Sequence, residues 1–128
     1  MDSVTWNEAR SYCSAIGGRL PTEVEWEYAA RGGTDGSRYG DLDEIAWYHA
    51  NSSSRTQVVK GKAPNAYGLY DMLGNLRQWT ADWYKIDKTR IVRGDSWLAD
   101  PETLRASYRY GYTPEERRSS VGFRCIGK

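Results

Sequence analysis

Chemistry in this chain would have to come from very few nucleophilic or metal-binding side chains. There is one histidine, His49, and there are two cysteines, Cys13 and Cys125. A zinc site built from several His and Cys ligands is beyond that inventory. A serine triad would need His49 as its base, and no G-x-S-x-G turn presents a nucleophile. Neither G-x-G-x-x-G nor G-x-x-x-x-G-K-[ST] occurs, so phosphate-cradling glycine loops are absent. What the chain holds in quantity is aromatic surface, with 6 Trp and 10 Tyr against a single Phe. Tyr108, Tyr110 and Tyr112 fall within five residues, and Gly111 separates two of them. Tyrosine offers a large contact area at low entropic cost, and Ser, Gly and Asp add adaptable hydrogen bonds, the composition of a recognition surface. Tyr108 reads as partial packing, whereas Tyr110 and Tyr112, beside the polar stretch 113–120, are expected to be exposed. His49 reads as a loop cap, Asn51-Ser52-Ser53 as a polar loop, and the pair Trp79 and Trp83 as core.

These residues need a frame to hold them. The chain is 128 residues with a net charge of +1, which fits one domain spanning 1–128 and excludes a strongly basic nucleic-acid binder. No stretch approaches 18 apolar residues, so no membrane span is expected, and Met1–Thr5 lacks the basic and apolar segments of a secretory leader. Leu, Ile and Val are sparse, so the core must rest on Trp and Tyr rings whose polar ends need partners. Two capping boxes open the chain. Thr5-Trp6-Asn7-Glu8 starts a helix with Trp6, Ala9, Cys13 and Ile16 on one face, stopped at Gly17-Gly18. Thr22-Glu23-Val24-Glu25 starts a second, with Trp26, Ala29 and Ala30 inward and Gly32-Gly33 after it. Residues 34–90 read as long loops pinned by Ile45–Tyr48 and Trp79–Tyr84. Strands are predicted at Arg90–Arg93, Leu104–Tyr108 and Val121–Ile126, the last by its period-two alternation. Arg105, Arg117, Arg118 and Arg124 are expected to pair with Glu102, Glu115 and Glu116.

Four fragments in order carry a family resemblance: Gly18–Gly33 (G-R-L-P-T-E-V-E-W-E-Y-A-A-R-G-G), Pro64–Asn75 (P-N-A-Y-G-L-Y-D-M-L-G-N), Arg93-Gly94-Asp95-Ser96-Trp97 and Gly122-Phe123-Arg124-Cys125. Together they resemble the formylglycine-generating, or sulfatase-modifying factor, family. The resemblance implies an α+β, C-type-lectin-like fold: two short helices, a small twisted antiparallel sheet and long ordered loops. Members of that family usually carry a further N-terminal region, with a strand that pairs near the C-terminus; this sequence opens almost at the first helix, as a fragment or a trimmed version would, and homo-oligomerisation through the final strand stays open. The family's catalysts carry a copper-binding cysteine pair just after R-G-G-S-Y/W. Carried over, those positions are Ala99 and Leu104, which offer no thiolate for copper, so the expectation is a protein that is not an enzyme and requires no cofactor. The family's structural disulfide corresponds to Cys13 and Cys125; read alone, these residues fit equally two reduced, buried thiols. A family calcium position corresponds to Asp71, Gly74, Leu76 and Gln78. Here Gln78 replaces the usual acid and Arg77 the usual Trp, and the residues themselves also read as a tight loop with Asp71 paired to Arg77.

The C-terminal third further resembles the variable proteins of diversity-generating retroelements, with R-G-G-S-W, a variable run, L-R-x-x-Y-R, a second variable run and G-F-R. The matching runs are Leu98-Ala99-Asp100, Tyr110-Gly111-Tyr112 and Arg118-Ser119-Ser120. The expected function is therefore a ligand-binding module whose site comprises Trp97, Leu98, Ala99, Asp100, Tyr108, Tyr110, Gly111, Tyr112, Arg118, Ser119 and Ser120. Its partner would be a protein or small molecule. The alternative is a superfamily enzyme with altered or lost oxidase activity.

Overall fold

The computed structural model describes residues 3–34, 36 and 38–127. Both capping boxes form. Helix α1 runs Trp6–Ala15, with the Thr5 side chain accepting from the Glu8 amide and the Glu8 carboxylate accepting from Thr5 N–H at 2.9 Å. Helix α2 runs Glu23–Arg31 with the same reciprocal pair between Thr22 and Glu25, and Gly32 closes it in the left-handed region at φ 57°. A four-residue helix, α3 (Leu42–Ile45), lies in the loop region.

The sheet has four strands, β1 (Arg77–Lys85), β2 (Thr89–Arg93), β3 (Arg109–Tyr112) and β4 (Val121–Gly122), in the order β3-β2-β1-β4. β1 and β2 form an antiparallel hairpin with Trp79 opposite Val92, β3 adds antiparallel to β2, and β4 adds parallel to β1. The fold is thus α+β and C-type-lectin-like, with a mixed rather than purely antiparallel sheet.

Two apolar clusters build the core. In one, Trp79, Val92, Tyr112 and Val121 of the sheet pack on Trp6, Ala9 and Cys13 of α1. In the other, Trp26 and Ala30 of α2 join Met72, Leu73, Ala99, Leu104 and Ala106. Three buried rings find polar partners, with indole N–H groups donating from Trp6 to Thr80 O (2.8 Å), from Trp26 to Gln78 Oε1 (3.0 Å) and from Trp79 to Val4 O (3.2 Å), whereas Trp47 Nε1 and the Tyr39 hydroxyl are buried without one.

Three strand expectations need correction. The aromatic run at Arg77–Lys85 is the long strand β1 rather than a pair of loop anchors, and Trp83 is only half-buried. Residues Leu104–Tyr108 do alternate between buried and exposed up to Ser107, but they have no ladder partner. Their carbonyls are taken by guanidinium groups instead: Arg38 Nε donates to Leu104 O at 2.9 Å and Arg93 Nη2 to Ala106 O. A short 3-10 turn, Pro101–Thr103, precedes them, and the strand begins only at Arg109. The final strand is likewise short, Val121–Gly122, because Cys125 is drawn to α1 by a disulfide with Cys13 and Ile126 bridges to Arg19.

Arg93 is the polar knot of the molecule. Its side chain is 2% exposed and donates to Glu23 (2.8 Å) and Glu27 (2.5 Å) of α2, while the guanidinium lies 5.3 Å from the Trp26 ring centroid. With the bond to Ala106 O it ties helix, sheet and loop 104–108 together.

The Cys13–Cys125 bond spans 112 residues of chain. In the chain-entropy account, closing so long a loop is worth about 5 kcal/mol. A Cys13→Ser/Cys125→Ser double variant should lose stability of that order, read as a lowered urea midpoint against the oxidised protein.

Candidate functional site

The site is built outward from the turn after β2. Gly94 takes φ +92°, and a Cβ there would lie 2.6 Å from Met72 O and 2.9 Å from the Trp26 ring, so only glycine fits. The turn delivers Asp95 inward, where its side chain is 1% exposed. Its Oδ1 accepts from Ser96 N–H at 2.8 Å and from Arg77 Nε at 2.9 Å.

Held in this way, the Arg77 guanidinium lies 5.1 Å from the Tyr110 ring centroid and 5.6 Å from that of Tyr112, whose hydroxyl accepts from Arg77 Nη1. Arg118 covers Tyr112 at 4.5 Å and is itself paired with Glu116 at 2.6 Å. The two tyrosine rings are 5.2 Å apart. Trp97 Nε1 donates to Ser119 O at 3.4 Å. A continuous strip results, running from Trp97 through Ser119 and Arg118 to Tyr112, Arg77 and Tyr110. Burial raises the Tyr112 phenol above its ordinary pKa, against the pull of Arg77 and Arg118.

The strip gathers only part of the expected site. Leu98, Asp100, Tyr110, Arg118 and Ser119 are exposed, and Trp97, Tyr108 and Gly111 are half-buried. Three expected contact residues are inside. Ala99 belongs to the α2 core cluster. Tyr112 is 7% exposed because its ring packs edge-on against Trp79. Ser120 is buried where its carbonyl accepts from Arg77 N–H at 2.7 Å, at the start of β4. Tyr108 lies apart, with Arg105 over its ring at 5.9 Å. Arg77, which the sequence reading weighed only as a partner for Asp71, is central. Its signal was the basic residue two positions ahead of Trp79, on the same face of a strand.

The charge expectations shift as well. Arg118 pairs with Glu116, but Arg117 pairs with Glu8. Arg124 turns inward, donating to Gln78 Oε1 (2.8 Å) and Tyr70 O (2.6 Å). His49 is exposed, and it is its main-chain N–H that donates, to Ala99 O.

At the four calcium positions most oxygens already accept hydrogen bonds. Gln78 Oε1 already accepts from Trp26 and Arg124, and Asp71 O from Gln78 Nε2 and Arg124. Asp71 Oδ2 accepts from Lys60 N–H, Gly74 O accepts from Leu76 N–H, and Arg77 is bound to Asp95, not Asp71. Most of these oxygens are committed and the Arg124 guanidinium stands among them, while Asp71 Oδ1 is buried without a partner. No cluster of three His, Cys, Asp or Glu side chains occurs among the described residues. Asp71, Leu76, Gln78 and Arg124 edge a cleft of about 330 Å³ that Phe123 and Leu69 help to wall. Ala99 and Leu104 are both core residues beside Trp26, and both cysteines of the chain are in the disulfide.

The family described as "Sulfatase-modifying factor enzyme 1-like domain" matches residues 1–128, and the chain belongs to it. Among curated relatives, the "Inactive C-alpha-formylglycine-generating enzyme 2" of Bos taurus is 38% identical over 95% of this chain and 48% of its own length. The "Formylglycine-generating enzyme" of Streptomyces coelicolor is 34% identical over 95% of this chain and 50% of its own. Among solved structures, Treponema denticola variable protein 1 superposes with a TM-score of 0.79 at 38% identity, over 83% of this chain and 46% of that one. The chain thus spans about half the length of these relatives.

Asp95→Ala should strand the Arg77 charge and leave the Ser96 amide unpaired, at a cost of about 3 kcal/mol by urea unfolding. Alkaline pH probes Tyr112. Its raised folded pKa means that its contribution is complete below about pH 10, the unfolded tyrosine value, and is lost as pH climbs from there through the folded value. Stability of Tyr112→Phe, measured across that window, should decline less than that of the wild type.

Proposed function

We propose that this chain is a non-catalytic binding module of the sulfatase-modifying factor family, with the strip of Trp97, Arg118, Ser119, Arg77 and Tyr110, extended by Leu98 and Asp100, as its contact surface. One observation carries the reading. The positions that match the family's copper cysteines, Ala99 and Leu104, are apolar core, while the turn beside them holds an aromatic and cationic surface in place through a buried carboxylate. Relatedness to an inactive paralogue and to a variable protein supports it. Each of the three runs that resemble retroelement-varied segments keeps exposed residues, Leu98 and Asp100, Tyr110, and Arg118 and Ser119, so the ligand would be a protein or small molecule recognised by ring contact and loop hydrogen bonds. The identity to a bacterial formylglycine-generating enzyme favours the second reading, an enzyme whose reaction has changed.

Two experiments separate the readings. A sulfatase-type cysteine peptide incubated with the protein, copper and oxygen should keep its mass; conversion of the cysteine to formylglycine would overturn the binding-module reading. On peptide and glycan arrays, wild type should give signals that a Leu98→Ala/Tyr110→Ala/Arg118→Ala variant of equal melting temperature loses. Signals unchanged in that variant, or no signal from wild type, would count against the proposed surface.

A further inference from the structure

A second feature lies away from the tyrosine strip and shares no lining residue with it. Between the start of α1 and the β1–β2 hairpin runs a groove of about 660 Å³, whose walls include Trp6, Asn7, Arg10, Arg19, Thr22 and Arg90. Arg90 is immobilised there. Its guanidinium lies 3.7 Å from the Trp6 ring centroid and 3.6 Å from that of Trp83, and Nη1 donates to Ala81 O at 2.8 Å. Its Nε is buried and has no hydrogen-bond partner. Arg10 stands 5.8 Å from the same Trp6 ring.

The three arginines are not equivalent. Arg19 is neutralised by Glu25, two N–H groups meeting the two carboxylate oxygens at 2.7 Å each. Among the described residues, neither Arg10 nor Arg90 has a carboxylate within ion-pair distance. Asp82, the nearby strand carboxylate, accepts the Glu23 amide at the head of α2 through Oδ2 at 2.7 Å. Asp82 and Asp87 attract Arg90 from beyond ion-pair distance, so two guanidinium groups without an ion pair edge one groove. Burial, and then repulsion from Arg10, pull Arg90 below the ordinary arginine pKa against the attraction of Asp82 and Asp87, and a bound counter-charge would oppose that pull.

We infer that this groove is a binding site for a phosphate or sulfate group, held by Arg90 and Arg10 beside the Trp6 ring. Guanidinium forks match the oxygens of such groups; sulfate, hydrogenphosphate and a phosphate monoester bring two charges to the two cations, and a sulfate ester brings one. Arg90, already clamped between two indoles, gives up little side-chain freedom on binding. The group could be a free inorganic ion or an ester on a larger molecule; the aromatic floor of the groove would add contact only to the latter.

The test uses the assigned indole N–H signals of Trp6 and Trp83 in two-dimensional NMR. Inorganic phosphate, inorganic sulfate, phenyl phosphate and phenyl sulfate are titrated at constant ionic strength, with sodium chloride as reference. Saturable shifts centred on Trp6 and Trp83 are expected. Arg10→Gln, an exposed helix position, should weaken binding at least roughly fivefold, as loss of one charge-assisted contact does. Arg90→Lys, which keeps the charge and removes the fork, should weaken it too, and Arg109→Gln, outside the groove, should leave it unchanged. Tighter binding of the phenyl esters would identify an esterified ligand, and equal binding a free anion. Shifts that stay linear and match chloride, or an Arg10→Gln protein that binds as wild type does, would overturn the assignment.

Discussion

The arrangement depends first on a buried guanidinium. Arg93 sits at the end of β2 with almost none of its side chain in water. A charge in that position is tolerable only if it is paired, and here both terminal nitrogens are bonded while the buried Nε is left without a partner. Glu23 and Glu27 supply the pairing from α2, and Ala106 O takes a further donor. Remove that knot and the helix, the sheet end and the loop leading to β3 lose their common reference point. The same strand end begins the turn that carries Asp95, so the surface offered to solvent inherits its position from a group that solvent does not reach.

Each residue of Arg93-Gly94-Asp95-Ser96-Trp97 has a mechanical duty. Arg93 ties the layers, Gly94 lets the backbone pass Met72 and Trp26, Asp95 fixes Arg77, Ser96 N–H secures Asp95, and Trp97 reaches Ser119. The five residues of the motif are joined through contacts around one turn, and that turn fixes where Arg77 and Trp97 stand.

Local signals were readable in the sequence where the physics is local. Both capping boxes lie within four residues, and both form. The need of Trp6, Trp26 and Trp79 for hydrogen-bond acceptors also followed from composition. The errors arise where distant chain decides the outcome. Leu104–Ser107 alternate as a strand would, yet arginines from residues 38 and 93 take the carbonyls that a neighbouring strand would have used. Tyr112 and Tyr110 look alike in sequence, and only the contact of Tyr112 with Trp79 buries one and not the other. The inward turn of Arg124 onto Gln78 Oε1 and the Asp71 carbonyl likewise has no local signal. The pairing of Arg77 with Asp95, eighteen residues away, has no local pattern to announce it.

The stretch from Leu104 to Tyr108 has a consequence of its own. It is fastened to the body by its main chain, through carbonyls, while Leu104 and Ala106 alone are sunk in apolar surroundings. Arg105 and Ser107 face outward from that tether. An attachment that does not consult side-chain identity separates the durability of the scaffold from the spelling of its exterior, so the outward positions are free to drift, or to be rewritten, at little cost to folding.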